Sequence, residues 1–372
     1  MALNTIPNPG LTKRGFPTVR VASPFLINGG FNVSQRYGET ATAFANNTYG
    51  LDRWKHYLNG SCALNFQQIR RSDAVVTNLQ SVSGVNFINA LKLDCTTAAS
   101  LGSTDLVTVL QILEGQNNVP LAGKKMTLSF WVRSSVAGIY CIAFKNGSAK
   151  TYVVEYTISS ADTWEQKIIT LTNDTEASYS ANSSTTTNGS LEVHFTLRLG
   201  TSSQQTTDGA WNTGNFYGTS DQVTWGTSTS DVFYLSGVQL ESGEFNSTTL
   251  PAFSFESYGD NLLRCQRYYQ VGNNVEGGSS IISGGSGLGF IAVNAGEAFG
   301  SNQWVVQMRA TPTVTLYNNA GTSGGAHHMG TGDITGVAGG RITNTAWNTI
   351  TKSSGFTDGD YYMCNYKATA EL

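Results

Sequence analysis

The chain has 372 residues, 40% of them hydrophobic and 11% aromatic, enough apolar mass to bury a real core and too much for a disordered chain. Charged residues make up only 13% and the formal net charge is -3, so there is no basic field to attract nucleic acid. No apolar run is long enough to insert in a membrane, and the start "MALNTIPNPGLTKRGFPTVRV" lacks the apolar centre of a signal peptide, which points to synthesis in a cytoplasm.

Residues 1–22 hold Pro7, Pro9 and Pro17 and show neither helical nor strand period. They read as an extended arm that lies on another protein's surface, with Lys13, Arg14 and Arg20 supplying polar contacts. Next comes "INGGF", where Gly29 and Gly30 permit a tight turn or bulge after a first strand. At the end of "YGLDRW", Trp54 supplies a large apolar plug beside the Asp52–Arg53 charge pair, and all three read as scaffolding.

From there the signal has period two. In "MTLSFWVRS", Met126, Leu128, Phe130 and Val132 share one face; in "TYVVEYTIS", Tyr152, Val154, Tyr156 and Ile158 do so. "GIYCIAF" is apolar on both parities and reads as more central. "LEVHFTLRL" turns Leu191, Val193, Phe195, Leu197 and Leu199 inward and leaves Glu192, His194, Thr196 and Arg198 to water. Half-buried antiparallel strands with frequent turns define an all-β protein whose residues 23–256 form a jelly-roll β-sandwich. Within it, "DGAWNTGNFYGTSDQVTWG" breaks the alternation. It places Trp211, Phe216, Tyr217 and Trp225 among Asn212, Asn215, Asp221 and Gln222 in a long loop between core strands. Aromatic faces among hydrogen-bonding side chains suit a sugar ring and equally suit an interface, and on either reading these rings stay out of the central core.

Residues 257–270 form a short helical linker, with Asp260 as its cap, that reads as a hinge. Residues 271–372 are Gly-rich and hold further strand candidates such as "WVVQM" and "TVTLY", a smaller β-domain with limited core of its own. Association of symmetric copies would bury its apolar strands.

Chemistry is sparse. The five cysteines are far apart and show no metal or disulfide spacing. Asp231, Glu241, Glu244 and Glu256 cluster along the chain without making a glycosidase pair, and no GxSxG elbow accompanies His56, His194, His327 or His328. His327 and His328 read as a Gly-loop position rather than a metal site. The chain is expected to be no enzyme and to need no cofactor.

Three sets of residues carry a resemblance. Ile27-Asn28-Gly29-Gly30-Phe31, Gln35-Arg36 and Tyr49-Gly50-Leu51-Asp52-Arg53-Trp54 resemble the opening of the carbohydrate-binding-module-like domains of bacteriophage tail fibre proteins. "FYLSGVQLESGEF" with Pro251, Phe253, Phe255 and then "LLRCQRYYQV" resemble that domain's end and its junction with a C-terminal domain. "MRATPTVTLYN" is similar to the β-domain that often follows. In order, these cover residues from about 23 to 318. The resemblance implies a virion fibre, usually a homotrimer, joined through its N-terminus to the phage tail or an adaptor or nozzle protein. Its β-domains would face a glycan or protein of the host cell surface. The alternatives are a structural virion protein, such as a capsid-attached fibre or decoration protein, and, third, a polysaccharide depolymerase. Modules of this type often hold a structural calcium ion, yet no Asp-rich loop here has the ligand spacing.

Overall fold

The computed structural model describes residues 24–147, 150–175, 191–272 and 287–372; Lys13, Arg14 and Arg20 lie outside the described residues. The first part of the chain forms β1 (Thr42–Ala43), β2 (Thr48–Tyr49), β3 (Lys55–Asn59), β4 (Ala63–Arg70), helix α1 (Ala74–Ser83), β5 (Asn89–Thr97), β6 (Leu106–Leu113), β7 (Lys125–Ser134), β8 (Gly138–Asn146), β9 (Lys150–Ile158), β10 (Glu165–Thr172), β11 (Leu191–Leu199), β12 (Trp211–Thr213) and β13 (Val232–Ser242). They make two sheets of antiparallel neighbours, β1-β4-β5-β13-β7-β10 and β12-β9-β8-β11-β6-β3-β2. This is a jelly-roll β-sandwich. Phe130, Phe144, Phe195, Leu128 and Trp54 fill the space between the sheets, the parity that the alternation in β7 and β11 dictates.

After the sandwich come helix α2 (Tyr258–Gln266) and strands β14 (Tyr269–Val271), β15 (Leu288–Asn294), β16 (Glu297–Gln303), β17 (Thr313–Tyr317), β18 (Gly325–His328), β19 (Gly332–Thr335), β20 (Ala338–Ile342), β21 (Ala346–Thr351) and β22 (Tyr361–Thr369). β22 is the hub, pairing with β14, β15, β17 and β18. Trp304, Trp347, Tyr362 and Tyr366 pack with Phe290 and Met308 into a separate core. Ser257, not Asp260, caps α2: its hydroxyl oxygen accepts from the Asp260 amide at 3.1 Å, while Asp260 sits in the first turn. His327 and His328 lie on β18 rather than in a loop.

The opening stretch acquires its shape from close approaches rather than from flexible glycines. Residues 24–41 form bends and turns, so among the described residues no strand precedes Gly29. Across residues 27–54 the left-handed positions are Asn28 (φ 58°), Phe31 (φ 56°), Asn47 (φ 57°) and Arg53 (φ 71°), with Gly38 (φ 56°) the one glycine among them. Gly29 is needed for space, because a Cβ there would sit 1.9 Å from the Val238 carbonyl oxygen. The Asn28 amide closes the turn by donating to the Val33 and Asp52 carbonyls at 2.9 and 3.0 Å, and the Trp54 indole donates to the Asn28 carbonyl at 3.1 Å.

This stretch is where the two β-domains meet. The Arg53 guanidinium pairs with Glu371, donates to the Ile112 carbonyl at 2.8 Å and lies 3.5 Å from the centre of the Tyr268 ring. Arg36 binds the other Glu371 oxygen at 3.0 Å and covers Tyr269 at 3.6 Å. Asp52 accepts from the Gln35 backbone amide and side chain, each at 2.6 Å, and Arg36 lies 3.8 Å away. Burial drives the Asp52 carboxyl above its usual range despite Arg36. An apolar layer of Ile27, Val33, Leu110, Ile112, Cys265, Tyr268 and Leu372 seals the same junction. The helical segment is therefore not a hinge, since its inner face is built into this layer. It also explains why β6 is buried on both faces: Val107 and Val109 face the sandwich core while Leu110 and Ile112 face the junction.

Two outcomes follow from these burials. Replacing Glu371 with Ala strands two buried guanidinium groups, and we expect a loss of about 3–5 kcal/mol in denaturant unfolding; a loss below about 1 kcal/mol would contradict the account of the junction. Buried His56 stacks on Phe44 at 4.0 Å, and neither ring nitrogen has a hydrogen-bond partner. Burial, helped by the Arg36 charge, pushes its imidazole from 6.5 down to about 3. The folded state therefore resists a proton that the unfolded chain accepts, so its contribution is complete above pH 6.5 and declines below it, by up to about 1.4 kcal/mol per pH unit. A folded His56→Leu variant should show a shallower acid slope in stability than the native chain; equal slopes would refute this.

Candidate functional site

The long aromatic loop does not assemble into one pocket. Trp225 is 0% exposed in the sandwich core and its carbonyl accepts from Arg198 at 3.1 Å, so its ring has no face to offer a ligand. This corrects the expectation that it stays out of the core. The reason is Arg198, which binds Asp105 at 2.9 Å and the Ala99, Ser100 and Trp225 carbonyls, drawing that end of the loop inward. Trp211 lies on the edge strand β12, its indole donating to the Thr172 carbonyl at 2.9 Å. Asn212 donates to the Ala210 carbonyl at 3.2 Å, and Asp221 is exposed beside Ser220.

Phe216 and Tyr217 pack on the outer face of the second sheet, against Cys141, Ala143 and Val153. Thr196 donates to the Tyr217 carbonyl at 2.7 Å and Gln222 to the Thr196 carbonyl at 3.1 Å, which fastens the loop down. His194 is buried beneath Tyr217 instead of solvated, with Glu192 at 2.8 Å and the Thr108 hydroxyl at 3.1 Å. Burial works against the Glu192 charge, yet the His194 bond and charge hold its carboxyl below the usual range. The Thr108–His194–Glu192 order looks like a nucleophile relay, but Thr108 is wholly buried and no substrate can reach its hydroxyl.

A different place combines exposed rings with polar side chains. A groove of about 510 Å³ is lined by Asn32, Arg70, Arg71, Ser72, Asn86, Ile88, Asn89, Phe255, Glu256 and Tyr258. Three of its residues are large and apolar yet open to solvent: Phe255 at 50%, Ile88 at 46% and Tyr258 at 44% exposure. Its floor is the end of the hairpin between β4 and β5, where Arg70 stands directly across from Asn89. Asn89 donates to Asn32 at 3.0 Å, which ties the opening stretch into the floor. Asp73 caps α1 by accepting from Val75 at 2.8 Å, and Gly84 ends that helix in the left-handed region, so the chain returns through Asn86 and Ile88. The remaining wall is the connector into α2. Phe253 and Phe255 both pack on Phe87, at 5.2 and 5.6 Å, and Glu256 is paired with Arg264.

Other sequence candidates hold structural positions. The Asp231 carboxylate accepts the amides of Gly226, Thr227 and Ser228, Glu244 pairs with Lys125, His327 binds Asp333 at 2.7 Å, and His328 binds Asp360 at 2.8 Å. Among the described residues no group of three or more His, Cys, Asp and Glu gathers around a common point. None of the described helices is long and apolar enough to cross a membrane.

No family model and no curated protein matches the chain. Among solved structures, the chain is similar to TmCBM61 in complex with β-1,4-galactotriose (12% identity, TM-score 0.29), covering 59% of this chain and 99% of that one. It is also similar to a family 11 carbohydrate-binding module of Clostridium thermocellum bound to a β-1,3-1,4-mixed-linked tetrasaccharide (11% identity, TM-score 0.27; 56% and 99% covered). A third is a putative sugar binding protein of Bacteroides thetaiotaomicron VPI-5482 (11% identity, TM-score 0.33; 59% and 100% covered). Two of these three neighbours are carbohydrate-binding modules.

The placements can be checked by stability. Phe255→Ala and Tyr258→Ala should each shift unfolding by no more than about 1 kcal/mol, as exposed positions do. Trp225→Ala should cost about 3–5 kcal/mol because it empties core volume. The reverse order in a chemical-denaturation series would contradict the assignment of core and groove.

Proposed function

We propose that the protein is a non-enzymatic adhesion protein that holds a glycan in the groove between Phe255, Tyr258 and Ile88. The observation that carries this reading is the coexistence of exposed ring faces with Asn32, Asn86, Asn89, Ser72 and two arginines around one groove. A pyranose has an apolar face for the rings and hydroxyls for the amides, and the two needs are met within one concave surface. The structural engagement of Asp231, Glu244 and Glu256 supports a binding rather than a hydrolytic role.

On the residues that resemble phage tail fibre proteins, the same proposal makes the chain a virion component. It attaches through residues 1–22 to a tail, adaptor or nozzle protein and presents its β-domains to the host surface, as a homotrimer. One surface suits association of copies: Tyr361, Ile291 and Phe299 are cross-strand neighbours on β22, β15 and β16, and all three are exposed. Light scattering on the full chain should then give the mass of three chains, and a monomer would remove the trimer from the proposal.

The glycan reading is tested by binding to extracted host-surface polysaccharide. The Phe255→Ala/Tyr258→Ala double variant should lose at least about tenfold in affinity, roughly 1.4 kcal/mol, while remaining folded. A Trp211→Ala/Tyr217→Ala variant should bind like the native chain. If the loop variant loses binding and the groove variant keeps it, the site is misplaced.

A further inference from the structure

Resting on the groove reading, we infer that the sugar bound there carries a carboxylate, as a uronic acid does. The chain as a whole is slightly acidic, at -3, yet the floor of the groove presents two consecutive arginines, Arg70 and Arg71, at the end of β4. The acidic groups close to them are already engaged. Arg264 neutralises Glu256 on the opposite wall, Asp73 accepts from the Val75 amide at the start of α1, and Glu39 pairs with Arg70 at 2.9 Å on the exposed side. Arg71 is exposed, makes no ion pair among the described residues and lines the same groove as Phe255 and Tyr258.

An arginine fork matches a carboxylate in plane and spacing, with two parallel N–H donors for two oxygens, and it keeps its charge at every pH the protein meets. The side chains around it supply the complement to the rest of the sugar. The Asn32 carbonyl accepts from Asn89, which leaves the Asn32 amino group as a donor, and Asn86 is exposed at the same rim. Phe255 and Tyr258 hold the ring face. A neutral glycan would use the rings and amides and leave Arg71 with water; an acidic one uses all three sets.

The experiment measures binding of the full chain to three acidic polysaccharides, polygalacturonate, alginate and hyaluronate, each beside its carboxyl-reduced form, in which the uronate has become a neutral hexose. At least one acidic member should bind ten times or more tightly than its reduced form. That preference should collapse in Arg71→Gln and weaken as salt is raised, since the contact is a charge pair. Equal affinity for the acidic and reduced forms, or binding of no acidic member, overturns the inference. Phe255→Ala/Tyr258→Ala separates the two claims. If it abolishes binding of acidic and reduced forms alike while they bind the native chain equally, the groove stands and the carboxylate falls. If it leaves an acid-selective binding untouched, the groove reading itself falls.

Discussion

Glu371 is shared between Arg36 and Arg53 in a place with almost no water, and the arrangement of the whole chain depends on it. Each guanidinium lies over a tyrosine ring from the segment that leaves α2, Arg36 over Tyr269 and Arg53 over Tyr268, so the charges and the rings locate the second domain together. Removing two cations and an anion from water is costly, and their attraction offsets that cost only when geometry is good and the remaining donors are bonded. Much of that bonding is present here: Arg53 reaches the Ile112 carbonyl, Gln35 satisfies Asp52, and Arg309 donates to the Ala370 and Glu371 carbonyls. An apolar layer alone would tolerate sliding of one domain on the other. A carboxylate that takes one bond from each of two guanidinium groups, one on each oxygen, resists such sliding.

That position sets the groove. Its far wall is the connector from the sandwich to α2, held at one end by Phe253 against Phe87 and at the other by Arg264, which pairs with Glu256 and donates to the Pro24 carbonyl. α2 is itself pinned through Cys265 and Tyr268 at the junction. The near wall belongs to Arg70, Arg71 and Ser72 before α1 and to Asn86, Ile88 and Asn89 after it, which are parts of the sandwich alone. The distance between the two walls is thus fixed by how the domains meet.

The fold was legible where one physical rule governed a segment. Alternation in "MTLSFWVRS" and "LEVHFTLRL" placed Phe130 and Phe195 inward, since a half-buried strand has no other way to sort its side chains. Alternation failed for His194, whose polar parity faces outward but whose outer face is roofed by Tyr217, a contact from a distant loop. Trp225 escapes the local pattern for a similar reason: its burial follows from Arg198, 27 residues away, and not from its neighbours. The groove was not read from the sequence because its walls come from residues 32, 70–72, 86–89 and 255–258, and nothing local marks them as adjacent. The signals that existed were small, an Arg-Arg pair before a helix cap and an aromatic run, "FSFESY", on a segment that reads as a connector.

The most direct test of the account is hydrogen–deuterium exchange on the full chain with and without a glycan that it binds. The groove account predicts new protection of backbone amides in residues 70–73, 86–89 and 253–258, with exchange in residues 208–222 unchanged. Protection confined to residues 208–222, with the groove segments exchanging as before, would contradict it.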